Sequence, residues 1–214
     1  MNNVAVPCAT RASQIPAKIE PTRPRAALLL ALVAVLAACR ADPGTPPLEG
    51  ATIGGPFTLT SHDNRRVSER DFAGKYRLVY FGFTFCPDVC PVDLQIVGAG
   101  LRLFERDDPE RAARVQPIFI SVDPARDTPQ VLRQFVAAFH PRLIGLTGSE
   151  DEIAQVARRY GVYYQRGDPA PGGGYGVDHL RAVFLYGPDG KPIAMVPHDQ
   201  GPAAVAAELD RWVR

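Results

Sequence analysis

The stretch Leu78-Val79-Tyr80-Phe81-Gly82-Phe83-Thr84-Phe85-Cys86-Pro87-Asp88-Val89-Cys90-Pro91 constrains this chain more than any other. Leu78 to Phe83 form a short apolar run between Gly74-Lys75 and the prolines, the pattern of a strand buried on both faces. Past the cysteines, Leu94, Val97, Leu101 and Phe104 recur at helical spacing, and Pro91, lacking an N–H, fits only a helix's first turn. The unit is therefore strand, tight loop and helix, with two thiols in the loop. With Pro91 as first helical residue, Cys90 falls at the cap, where free N–H groups and the positive dipole end favour a thiolate; Asp93 suits the same end. Cys86 stands four residues earlier, close enough to share one ligand with Cys90 or to close a disulfide with it. Spacing does not choose between those uses.

The other elements supply a core for this unit. Phe57 to Thr60 and the segment around Val67, separated by Ser61-His62-Asp63-Asn64, predict a hairpin with His62 as a solvated turn residue. Val115 to Val122 predicts a second buried strand, ending in Asp123-Pro124. Thr128-Pro129 starts a helix by the cap-then-proline rule; its apolar face is Val131, Leu132, Phe135, Val136 and Phe139, and it stops at His140-Pro141, where a cationic His140 would suit the dipole's negative end. Leu143 to Leu146 predicts a strand, and Ser149 caps a helix that Gly161 ends. A glycine-rich loop over residues 165–176 leads to Val177-Asp178-His179. Leu180 to Tyr186, the turn Gly187-Pro188-Asp189-Gly190 and Pro192 to Val196 make a hairpin, and Pro202 to Val213 a closing helix. Strands alternating with helices describe a compact α/β sandwich.

The N-terminus has a different composition. Arg23 and Arg25 precede an uninterrupted Ala/Leu/Val run from Ala26 to Ala38, followed by Cys39. Such a charged region, short apolar region and small residues before a cysteine predict an export signal of lipoprotein type, residues 1–39, with Cys39 as the lipidated residue. At 13 residues the run falls short of the roughly 20 that cross a bilayer, which weighs against the alternative of an uncleaved anchor. Residues 40–55, rich in Pro and Gly, read as a tether, and 56–214 as the folded domain. The 24 basic and 23 acidic residues leave no positive field for nucleic acid. Past Cys39 only Cys86 and Cys90 remain, too few for a disulfide framework.

Three blocks in order, Gly82 to Pro91, Ser121-Val122-Asp123-Pro124 with Asp127-Thr128-Pro129, and Val177-Asp178-His179 followed by Gly187-Pro188-Asp189-Gly190, resemble the Sco/SenC family over roughly residues 57–213. The resemblance implies a thioredoxin-like fold, with a central mixed sheet flanked by helices. It also implies copper held by Cys86, Cys90 and His179, and delivery of that copper to the dinuclear centre of cytochrome c oxidase subunit II. Family members are usually held to the membrane; here a lipobox stands where a single transmembrane anchor is commoner, placing the domain in the periplasm or at the cell exterior.

Donor chemistry agrees independently. Soft thiolates select Cu(I) and, with one imidazole, also hold Cu(II), whereas structural zinc wants a fourth protein ligand that the sequence does not offer nearby. Asp178 or Asp123 could orient the imidazole, although a turn or cap role suits Asp123 equally. His198, beside Asp199 after the last strand, could make a transfer contact but reads first as a surface residue. The main alternative is a thiol–disulfide oxidoreductase in which Cys86 and Cys90 act catalytically to keep the oxidase's copper-binding cysteines reduced, drawing on a thioredoxin-like reductant. A carrier would instead exchange copper with another chaperone. A peroxide-reducing relative and a purely structural Cys86–Cys90 disulfide are weaker alternatives.

Overall fold

The computed structural model describes residues 44–169 and 174–214. The predicted signal and Cys39 lie outside these residues, as do the first residues of the predicted tether. The chain runs β1 (Thr58–Ser61), β2 (Arg66–Ser68), β3 (Tyr76–Gly82), α1 (Val89–Asp107), α2 (Pro109–Ala113), β4 (Val115–Ser121), α3 (Pro129–Ala137), β5 (Ile144–Thr147), α4 (Glu150–Arg159), β6 (Tyr164–Arg166), β7 (Val177–His179), β8 (Val183–Tyr186), β9 (Pro192–Met195) and α5 (Pro202–Trp212). Seven strands form one mixed sheet in the order β2-β1-β5-β4-β3-β8-β9.

The two strands expected to be buried on both faces are its centre. Every residue of β3 and β4 is buried, and they pair in parallel from Tyr76↔Val115 to Gly82↔Ser121. Their carboxyl ends are thus level, and the cysteine loop leaves one while Asp123-Pro124 leaves the other. β8 flanks β3 antiparallel and β5 flanks β4 parallel. Apolar side chains on both faces demand cover, which α1, α3 and α5 supply with Leu94, Val97, Leu101, Leu132, Val136, Val205 and Leu209. Helix α1 meets α5 closely because residue 100 is glycine: a Cβ there would stand 2.5 Å from Val205 Cβ.

Helix ends follow their expected chemistry. Thr128 accepts the Val131 N–H, Ser149 with Glu152 forms a capping box, and Gly161 takes the left-handed conformation (φ 66°) that closes α4. Three expectations are corrected. His140 lies three residues past the end of α3, is 3% exposed and is bonded to Glu105 at 3.3 Å; burial lowers its pKa, which disfavours the cation expected at the helix end. His62 is no free turn residue, since its Nδ1 accepts the Gly145 N–H at 3.0 Å and pins the hairpin turn to β5. The Pro/Gly-rich segment also docks where it is described: Leu48 N–H donates to Ile193 O (3.0 Å), Gly54 N–H to Arg159 O (2.8 Å), and Leu48 and Ile53 pack on the core. Two apolar side chains and a few backbone bonds suffice to lay it down.

The last hairpin differs in one respect that matters for the site. The predicted strand Leu180 to Tyr186 begins only at Val183, and Val177–His179 forms a separate strand. β7 pairs with β6 outside the main sheet, Tyr164↔His179 to Arg166↔Val177, and Gly167 N–H closes the ladder onto Gly176 O. The glycine-rich loop is thereby drawn into a hairpin whose returning strand carries His179.

Candidate metal centre

Helix α1 starts at Val89, two residues earlier than the proline rule suggests. Asp88 is the cap, without a side-chain cap bond, and Cys90 is the second helical residue. Its thiol is therefore turned inward and fully buried; a Cβ on Gly82 would lie 3.0 Å from its sulfur, so only glycine leaves room at the end of β3. Burial pushes the Cys90 thiol up to about 12. This corrects the expectation of a thiolate at the cap. Cys86 is the sulfur that meets the helix start: half-buried, it accepts the Cys90 N–H at 3.4 Å, one of the free donors there.

His179 comes to the thiols from 89 residues away, with Nε2 3.2 Å from Cys90 Sγ. Its Nδ1 lies 3.2 Å from the Leu180 carbonyl, which can only accept, so Nδ1 carries the proton and Nε2 presents its lone pair. Burial lowers the pKa of His179 more than the Leu180 carbonyl raises it, keeping the ring neutral. Tyr80 and Phe83 hold the imidazole edge-on at 6.1 and 6.0 Å between centroids. The Cys90 sulfur and a neutral imidazole nitrogen thus meet at the end of β3, with the Cys86 sulfur turned toward the helix start beside them. Among the described residues no set of three His, Cys, Asp or Glu side chains is already gathered in metal-binding geometry; Cys90 and His179 touch, while Cys86 faces the Cys90 amide.

The two carboxylates expected near the imidazole do other work. Asp178 is exposed on β7 and makes no hydrogen bond to His179, because alternate strand residues point to opposite sides. Asp123 is buried and pairs with Arg126, three residues on, and with the Tyr175 hydroxyl at 2.8 Å. Leu180 O is what orients the ring.

Several residues of the site went unread in the sequence. Asp127, fully buried, accepts from Thr84 N–H (3.1 Å), Thr84 Oγ1 (2.6 Å) and Ser121 Oγ (2.6 Å), so it fixes the start of the cysteine loop to the end of β4. Asp93, also fully buried, accepts from the Tyr80 hydroxyl (2.9 Å) and from both Nε (3.0 Å) and Nη2 (2.6 Å) of Arg181. Burial pushes its carboxyl up, but the bonds from Arg181 and Tyr80 outweigh this and hold it below the usual carboxylate range. His198, expected at the surface, is 7% exposed and stands 3.5 Å from Asp93. The sequence marked Asp93 only as suiting the helix start and Asp127 only as part of the second block, and gave neither its partners.

The sequence profile described as SCO1/SenC matches residues 45–214. The chain belongs to the SCO1/SenC family. It is 40% identical over 166 residues to the human "Protein SCO1 homolog, mitochondrial" (76% of this chain, 53% of the relative), and 46% identical over 147 residues to the bovine "Protein SCO2 homolog, mitochondrial" (68% and 54%). It spans about half the length of these curated relatives. Among solved structures, Bradyrhizobium japonicum ScoI with copper bound superposes with a TM-score of 0.68 at 39% identity, covering 75% of this chain and 99% of that one. Yeast Sco1 with copper bound gives 0.69 at 33% identity, covering 76% and 88%. BsSco, described as a member of the Sco family of cytochrome c oxidase assembly proteins with a disulfide switch, gives 0.54 at 26%, covering 73% and 90%. The thioredoxin domain of a Bacteroides vulgatus thiol–disulfide oxidoreductase, 17% identical, shares the fold with a TM-score of 0.53 over 76% of this chain and 96% of that one. The fold of this SCO1/SenC member is thioredoxin-like, its mixed sheet flanked by helices. Among the described residues no helix is long and apolar enough to cross a membrane.

Proposed function

We propose that this protein is a copper carrier: Cys86, Cys90 and His179 hold one copper ion and pass it to the dinuclear copper site of cytochrome c oxidase subunit II during assembly. The observation that carries this reading is the 3.2 Å approach of the His179 Nε2 lone pair to Cys90 Sγ, with Nδ1–H committed to Leu180 O. An imidazole so placed completes a sulfur-rich donor set suited to Cu(I) and sufficient for Cu(II). Cys86, half-buried, joins the set by rotating its thiol from the Cys90 amide toward the other two donors, and the buried Cys90 proton leaves as copper binds. Phe85, Val92 and Leu180, each within two residues of a donor, are exposed and offer a partner an apolar rim. The copper-bound structures of ScoI and yeast Sco1, and the assembly role named for BsSco, support the same reading. Lipidation at Cys39 would hold the domain at the membrane's outer face, where such an acceptor is assembled.

A second reading follows from Cys86 lying on a helix N–H within reach of Cys90. As thiolate it could attack a disulfide in the acceptor; Cys90 would then resolve the mixed disulfide, leaving the acceptor reduced and Cys86–Cys90 oxidised. His179 separates the readings. The reduced full-length protein titrated with Cu(II) should develop intense sulfur-to-copper charge-transfer absorption that saturates near one equivalent and disappears in His179→Ala, while the disulfide still forms. Oxidase assembly should fail in cells carrying His179→Ala as in those carrying Cys86→Ser or Cys90→Ser. Normal oxidase in His179→Ala cells despite lost copper binding would leave only the reductase reading.

A further inference from the structure

One buried carboxylate joins every segment that carries a donor. Asp93 sits on α1 three residues after Cys90, hence on the same helix face. Its principal cationic partner, Arg181, comes two residues after His179, and its other hydrogen-bond partner, Tyr80, lies on β3, the strand that leads into the Cys86 loop. The Tyr80 ring lies edge-on to His179 at 6.1 Å and to His198 at 6.4 Å, so the same side chain that bonds Asp93 also backs the imidazole. The Asp93–Arg181 contact is bidentate, the geometry that fixes direction as well as distance.

We infer that the Asp93–Arg181 pair is a positioning brace that holds the Cys90 thiol and the His179 imidazole at liganding separation; as stated for copper, the inference rests on the carrier reading above. β7 belongs to a two-stranded ladder outside the main sheet, and the glycine-rich loop precedes it, so the sheet itself does not fix His179 over α1. The covering link is the ion pair that follows the histidine. Because two thiolates satisfy Cu(I) whereas Cu(II) also draws on the imidazole, loosening this brace should be felt selectively by Cu(II).

Arg181 is the place to test it, since its side chain is 48% exposed and its loss leaves the core packed. In Arg181→Gln, Cu(II) affinity of the full-length protein, measured by chelator competition, should fall about 10-fold or more while Cu(I) affinity changes by less than about 2-fold. Arg181→Lys should recover part of the loss, keeping the charge without the fork. In the metal-free, reduced protein, Arg181→Gln should also speed alkylation of Cys90 far more than that of Cys86, under conditions where circular dichroism shows the fold retained. Equal losses for both ions, or no loss for Cu(II), would overturn the brace. Failure of the unsubstituted protein to bind Cu(II) would sink the carrier reading instead, and Cys90 alkylation would still decide: an unchanged rate in Arg181→Gln counts against the brace.

Discussion

Two buried carboxylates stand near the cysteine loop, and their partnerships differ in reach. Asp93 bonds Arg181, 88 residues away, and Tyr80, 13 residues away, so it ties together β3, α1 and the segment after β7. Asp123 pairs with Arg126 only three residues on and reaches Tyr175 across 52 residues, at the end of the glycine-rich loop. Around Asp123 the cations also stack. The Arg126 and Arg166 guanidiniums lie 3.6 and 3.7 Å from the Tyr175 ring centroid, too near to share one face, so the ring is held between them. The first cluster sets where the donors stand, and the second holds the loop that brings His179 round. A long-range pair buried on one side thus controls geometry at the site, while a short-range pair with stacking controls its approach.

The largest effect should come from emptying the first cluster. Asp93→Ala leaves the Tyr80 hydroxyl buried without its acceptor and removes the charge facing Arg181 and His198, which should cost about 3 kcal/mol, the lower end for a broken buried pair because Arg181 reaches water. Urea unfolding of the reduced, metal-free protein measures it. The pH dependence has a definite sign. Asp93 is held below the usual carboxylate range in the fold, so its contribution is present above the unfolded value, about 3.9, and is lost as pH falls through the lower folded value. Asp93→Asn should therefore flatten the loss of stability below about pH 4; an unaltered acid slope would remove Asp93 from the cause.

Emptying the second cluster should cost less. In Asp123→Ala, Arg126 keeps its stacking on Tyr175, Phe85 and Phe83 and its bond to the Tyr175 carbonyl at 3.0 Å, and the backbone N–H of residue 123 keeps its bond to Ser121, so a loss of about 2 kcal/mol is expected, from the Arg126 pair and the Tyr175 hydroxyl bond. Cu(II) affinity should change little. A loss larger than that of Asp93→Ala would reverse the ranking of the two clusters.

The difference between these clusters also explains what the sequence could disclose. Strand β3, the helix after it, the Thr128 and Ser149 caps and the alternation of elements are written in periodicity and neighbouring residues, and all appear in the fold. Cys86, Cys90 and His179 were legible as donors because soft thiols beside a strand end, and the block resemblance, single them out. The Asp93–Arg181 pair was not, since nothing local marks two residues 88 apart as partners. His198 was misplaced for the same reason: it is buried beside Asp93, which comes from another element. The start of α1 slipped by two residues because Pro91 is allowed at several first-turn positions, and that slip turned Cys90 from a cap thiolate into a buried thiol. β6 and β7, three residues each and defined by one another, carry too short a pattern to separate from a loop.

The smallest effect belongs to Tyr175, and it sharpens the comparison most. Tyr175→Phe keeps the ring between Arg126 and Arg166 and loses only the bond to Asp123, so it should cost about 0.5–1 kcal/mol. Tyr175→Leu loses the bond and both cation–π contacts, each contact worth about 0.5 kcal/mol at a site this open, for a total of about 1.5–2 kcal/mol. The ladder just beneath reports the change. Hydrogen exchange at the Gly167 amide, bonded to Gly176 O at 2.9 Å, should quicken in Tyr175→Leu and stay near its original rate in Tyr175→Phe. Cu(II) affinity should hold in both, because Arg181 and Asp93 still fix His179 against Cys90. A fall in Cu(II) affinity for Tyr175→Leu as deep as that for Arg181→Gln would mean that the loop and the brace act as one unit, and the division of labour between the two carboxylates would fail.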